Sequence, residues 1–103
     1  MAQKTLAGKN VEVTDEGYLQ DFNEWDEDMA KELAQEEGIE LSDDHFKVLR
    51  FLREQHQDGA NLTIRKVGKS GITDIKGFYN LFPGGPLKKA SKIAGIPKPT
   101  SCV

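Results

Sequence analysis

The apolar positions change period along the chain, and each change marks an element. In KTLAGKNVEVTDEGYL, short apolar or β-branched pieces at Thr5 to Ala7, Val11 to Val13 and Tyr18-Leu19 alternate with turn residues at Gly8-Lys9 and Asp15-Glu16-Gly17. That pattern predicts a small antiparallel β-meander. From Asp26 the period lengthens: Met29 with Leu33 and Ala30 with Ala34 recur at i, i+4, Asp26 stands at the N-cap, and Glu27 and Asp28 suit the positive first turn. Gly38 lies just past the end, so a first helix over 26–37 is expected. Ser42, Asp43 and Asp44 open a stronger one over 42–57, where Phe46, Leu49 and Leu52 make a stripe that Val48 and Phe51 widen. This helix is expected at the centre of the core, with Trp25, Phe46, Phe51 and Phe82 as core side chains.

Between Asp58 and Gly71 only Leu62, Ile64 and Val67 are apolar anchors among three glycines, which allows a short helical turn. Helical spacing returns over Ile72 to Phe82, with Ile75, Phe78, Tyr79 and Phe82 at i, i+3, i+4 and i+7, and Pro83-Gly84-Gly85 ends it. Pro86 suits the first position of a last helix that places Leu87, Ala90 and Ile93 or Ala94 on one face and stops at Gly95. The remainder has nothing of its own to pack around, and Pro97 and Pro99 favour an extended, polyproline-like form. The expected fold is α+β and mainly helical. It consists of a small N-terminal antiparallel β-meander packed on an array of helices, with one globular domain over 1–94 and an extended Pro-containing arm over 95–103.

Composition narrows the picture. A chain of 103 residues with 37% hydrophobic types supports one modest core and no large internal cavity. It has no apolar run long enough to span a bilayer, and MAQKTLAGKN lacks the basic-then-apolar opening of a signal peptide, so the expected compartment is the cytoplasm. The net charge of −3 hides a division, because 16 of the 17 acids precede Gly59 whereas 8 of the 14 bases follow Asp58. A basic C-terminal half suits an acidic partner, nucleic acid, or a thiol held in its ionised form. Read as a helix-turn-helix, residues 42–82 would present Arg65, Lys66, Lys69 and Lys76 to phosphate. Those bases are few, no Asn/Gln set is placed for base readout, and the acidic half would repel DNA, so direct nucleic-acid binding is not expected.

The single cysteine, Cys102, excludes a disulfide within the chain and an all-cysteine metal site. His45 and His56, eleven residues apart on one helix, are too distant to share a metal and are expected at the boundary or surface. No metal or cofactor is expected. Cys102 stands one residue from the end of a segment whose nine residues reach about 28 Å when extended. Lys88, Lys89, Lys92 and Lys98 form the densest basic cluster, and each nearby cation favours the thiolate. A thiolate there is able to take a sulfur from one protein and surrender it to another.

The segment LFPGGPLKKASKIAGIPKPTSCV resembles the C-terminal signature of the DsrC/TusE family, the gamma subunit of dissimilatory sulfite reductase and its sulfur-relay relatives. DEGYL, Trp25 and LSDDHFKVLRFLRE occupy places that the family gives to similar segments, so the resemblance covers nearly the whole chain. It implies a β-meander on about five helices with a Cys-bearing arm that lies back on the body or extends into a partner, Gly95 acting as hinge. It also implies that Cys102 carries the sulfur as a persulfide, supported by Lys88, Lys92 and Lys98, and that Arg65 binds an anionic sulfur species or the terminal carboxylate. Two-cysteine members have a second Cys where this chain has Ser91, a departure that favours the single-cysteine, TusE-like branch. The implied partners are persulfide donor and acceptor proteins: sulfurtransferases, a thiouridylase of tRNA 2-thiolation, or a sulfite reductase complex on which a gamma-type accessory subunit docks. A second departure is a shortening of about eight residues between Asp58 and Phe78, which bears on any partner contact made there.

Overall fold

The computed structural model describes residues 2–60 and 62–98. Two strands, β1 (Ala2–Leu6) and β2 (Lys9–Val13), pair antiparallel from Ala2 opposite Val13 to Leu6 opposite Lys9. The third piece of the expected meander is reduced to one bridge between Val13 and Leu19, with the chain turned by Gly17 N–H donating to the Thr14 carbonyl. Two residues, Tyr18 and Leu19, are too short a run to extend the ladder further. Alternation places Leu6, Val11 and Val13 inward.

Among the described residues, five helices follow a single 3₁₀ turn at Phe22–Glu24: α1 (Glu27–Glu36), α2 (Asp43–Gln57), α3 (Ile64–Gly68), α4 (Ile75–Leu81) and α5 (Pro86–Ile93). Their starts are chemically specified. Asp26 accepts from the Met29 N–H at 2.8 Å, Thr63 from Lys66 at 3.0 Å and Asp74 from Gly77 at 2.6 Å, while Pro86 opens α5. α5 packs on both α1 and α2, and the core joins Met29 and Leu33 to Leu49, Leu52, Phe78, Leu87 and Ile93. Among the described residues no helix is long and apolar enough to cross a membrane.

Three side-chain expectations need correction. Ile75 and Tyr79 share the spacing of Phe78 and Phe82 but are exposed, because α4 has only two turns and the pair that its packing buries is Phe78 and Phe82, with Phe82 edge-on against His45 of α2. Trp25, Phe46 and Phe51 pack against the core from its edge and are only partly buried, whereas Phe82 is fully inside. His45 is buried. Its Nδ1 accepts from the Ser42 N–H at 3.1 Å, which leaves the ring proton on Nε2 to donate to the Leu81 carbonyl at 2.8 Å. One imidazole thereby closes the start of α2 and ties it to the end of α4.

Candidate functional site

The chain leaves α5 through a tightly built exit. Gly95, at φ 71°, donates to the Lys92 carbonyl, and Ile96 donates to the Ser91 carbonyl at 3.1 Å; these are the two bonds of a Schellman cap. A left-handed residue is required at that point, and glycine adopts it without strain. Bulk is excluded as well, since a Cβ on Gly95 would stand 2.8 Å from Cγ of Trp25. Ile96 is 1% exposed. Gly95 and Ile96 therefore belong to the packed body, despite the prolines that follow, and Pro97 is the first exposed residue after α5.

The last carbonyls of α5 are held from the other side. Trp25 Nε1 donates to the Ile93 carbonyl at 2.7 Å, and Arg53 donates from one guanidinium nitrogen to the Ala94 carbonyl and from the other to the Phe22 carbonyl, both at 2.8 Å. Its guanidinium carbon lies 3.9 Å from the centre of the Phe22 ring and 4.3 Å from that of Trp25. Burial pushes the Arg53 pKa below its ordinary value, yet a guanidinium keeps its charge throughout the physiological range. A cation at the negative end of α5 also opposes the helix dipole. Trp25 was legible in the sequence as an apolar anchor but not as a hydrogen-bond donor. Arg53 carried no such signal, because its place in α2 reads as ordinary surface charge.

Beyond this exit Lys98 pairs with Glu16 at 2.9 Å, beside a groove of about 240 Å³ lined by Glu16, Tyr18, Glu37, Gly84, Lys88, Lys89 and Lys92. Lys92 pairs with Glu37 at 3.2 Å, and the Tyr18 hydroxyl donates to the Lys88 carbonyl at 3.3 Å. Burial raises the Tyr18 pKa, and the Glu16 and Glu37 carboxylates act in the same direction, so the phenol stays a neutral donor. Lys88 and Lys92 thus line one groove, with two carboxylates from the acidic half set among them, and Lys98 is held beside it through Glu16. Arg65 is not part of it; it is exposed on α3, which packs on α4. Cys102, the expected sulfur-bearing residue, lies outside the described residues, as does the end of the expected arm from Pro99 onward.

Ser91 is fully buried on α5, and its Oγ has no hydrogen-bond partner among the described residues. Its side chain belongs to the interior of the body and not to the lysine groove. The sequence pointed to this position through the missing cysteine, but gave no sign of its burial.

The model of the family described as DsrC like protein matches residues 5–103. Sulfurtransferase TusE of Escherichia coli strain K12 is 40% identical over 104 positions, covering 93% of this chain and 95% of that one. The gamma subunit of dissimilatory-type sulfite reductase from Nitratidesulfovibrio vulgaris is 39% identical over 105 positions that cover both chains in full. The crystal structure of the oxidised gamma subunit from Archaeoglobus fulgidus superposes with a TM-score of 0.82 at 36% identity, covering 99% of this chain and all of that one. A family model matched over almost every residue, together with a fold shared from end to end, places the chain in the DsrC-like family.

Proposed function

We propose that the protein is a sulfur carrier in which Cys102 accepts a persulfide and passes it on. The supporting observation is the anchoring of Lys98 by Glu16 at the rim of the lysine groove. Cys102 follows Lys98 by four residues, and four residues of chain span at most about 14 Å. A chain of that length would allow the thiol to approach Lys88, Lys89 and Lys92, whose charge favours its ionised form. Residues 1–96 act as the body and residues 97–103 as the arm. Gly95 serves as the fixed root from which the arm departs, and the turning point lies beyond it, where the packed contacts end.

The chemistry is an exchange without net oxidation. The Cys102 thiolate attacks the outer sulfur of a donor persulfide, a new S–S bond forms at Cys102, the donor S–S bond breaks, and the donor leaves as a thiolate. Release to an acceptor is the same step in reverse. The missing thiol at Ser91 supports one-thiol carriage over an internal disulfide, and tRNA thiolation in the cytoplasm is the pathway that a TusE-like carrier would serve. A second reading, docking on dissimilatory sulfite reductase as a gamma-type subunit, is favoured by the end-to-end match with the Nitratidesulfovibrio vulgaris subunit.

The test is loading by cysteine persulfide followed by mass spectrometry. The peptide containing Cys102 gains about 32 Da, lost on reduction, and Cys102→Ser gains nothing. An unmodified Cys102 under conditions that load a control thiol peptide would refute carriage and leave docking as the function. For docking, the measurement is binding of the full chain to purified sulfite reductase αβ units, with and without residues 97–103.

A further inference from the structure

The largest exposed apolar side chains of the body fall within eight consecutive residues: Ile72 at 38%, Ile75 at 46% and Tyr79 at 43% exposure. Ile75 and Tyr79 stand at i, i+4 on the outer face of α4, and Ile72 lies in the turn before it. This face does not overlap the lysine groove, whose lining comes from α5 and the loops around Glu16 and Glu37.

Its surroundings are basic. The Ile75 side chain crosses directly over Gly68 of α3, where a Cβ would meet its Cγ1. Arg65 lies on that short helix one turn before Gly68, Lys69 is its C-cap, and Lys76 lies one turn before Tyr79 on α4. All three are exposed, and none is in an ion pair with another described residue. The only carboxylate between residues 62 and 82 is Asp74, already engaged in capping α4 through the Gly77 N–H. An apolar centre with a basic rim is the anatomy of a protein contact surface, complementary to an apolar residue ringed by carboxylates. A nucleic acid would use the rim but leave three apolar side chains against phosphates and sugars.

We propose that the α3–α4 face, centred on Ile75 and Tyr79, docks an acidic protein surface with an apolar centre. The contact is independent of Cys102 and of sulfur transfer. The experiment uses the isotope-labelled full chain, titrated with a short synthetic helical peptide of glutamates and leucines while amide shifts are followed. Shifts concentrated on Ile72, Ile75 and Tyr79 are expected, with affinity falling about tenfold in the Ile75→Ser/Tyr79→Ser variant, equivalent to about 1.4 kcal/mol, and weakening in Lys69→Glu. Both changes are at exposed positions, so the unchanged remainder of the spectrum reports an intact fold. Shifts elsewhere, or shifts that survive the double variant, would overturn the proposal. So would a DNA duplex that moves these amides at lower concentration than the peptide, or movement with protein concentration alone, which would assign the face to a second copy.

Discussion

Gly95 carries two constraints at once, a left-handed backbone and contact with the Trp25 ring, whereas Gly59 has a positive φ of 79° with open space where a Cβ would stand. Alanine at 59 meets only the backbone penalty, about 1–2 kcal/mol. Alanine at 95 meets that penalty and adds an overpacking cost of about 1–3 kcal/mol, because the Trp25 ring is itself pinned to the Ile93 carbonyl. Urea unfolding should therefore rank Gly95→Ala clearly below Gly59→Ala, and equal midpoints would show that Trp25 yields freely. Ser91 leads to a change of opposite sign. A buried hydroxyl without a partner costs about 1–3 kcal/mol, so Ser91→Ala should leave the urea midpoint unchanged or raise it. A clear fall would reveal a partner for Oγ. At this scale the sequence was legible wherever a residue acts on its own backbone, as Asp26, Ser42 and Pro86 do. It was opaque for His45 and Arg53, whose partners Leu81, Phe22 and Ala94 lie 31 to 41 residues away. No local pattern encodes a hydrogen bond to a distant carbonyl.

Helices α1, α2 and α5 were readable because each carries its own start signal and a stripe of matching period; α1 and α2 depart from their expected bounds by a residue at most, whereas α4 begins at Ile75, three residues after the expected Ile72. The α4 face was not readable. The same i, i+4 spacing describes Ile75 with Tyr79 and Phe78 with Phe82, and only tertiary packing chooses between them. The start of α1 gives a prediction with a defined pH window. The Asp26 carboxyl is held below its ordinary value, chiefly by the hydrogen bond from the Met29 N–H and further by Lys9. A lowered folded-state pKa adds stability above the unfolded value of 3.8, and that stability is lost as pH falls through the folded value. Asp26→Ala should cost about 1 kcal/mol near neutrality, and its deficit against wild type should shrink below about pH 4. A deficit independent of pH would mean that the charged cap is not its source. His45→Ala removes the link between α2 and α4 and should lower stability by about 1–3 kcal/mol, since Leu81 loses its donor.

At the scale of the whole molecule, the charge division along the chain is partly mixed where the arm leaves the body. Glu16 and Glu37, from the acidic half, are set against Lys98 and Lys92, from the basic half, so the surroundings of the arm are less positive than the sequence suggests. Folding brings together charges that lie 55 and 82 residues apart, and a running count of charge has no means of showing this. If Cys102 acts as proposed, the pairing predicts that Glu16 modulates its reactivity. Replacing Glu16 by Gln removes a negative charge from the groove and frees Lys98, and both effects favour the thiolate. The pair is exposed, so stability should change by no more than about 1 kcal/mol. Alkylation of Cys102 by iodoacetamide near neutral pH should accelerate about two- to threefold in Glu16→Gln at low salt, and slow correspondingly in Lys88→Gln. Both differences should fade at about 1 M salt, where charges interact over only about 3 Å. Rates that match wild type at low salt would show that the thiol does not feel the groove, and the electrostatic support assigned to its lysines would have to be given up even if Cys102 still carries sulfur.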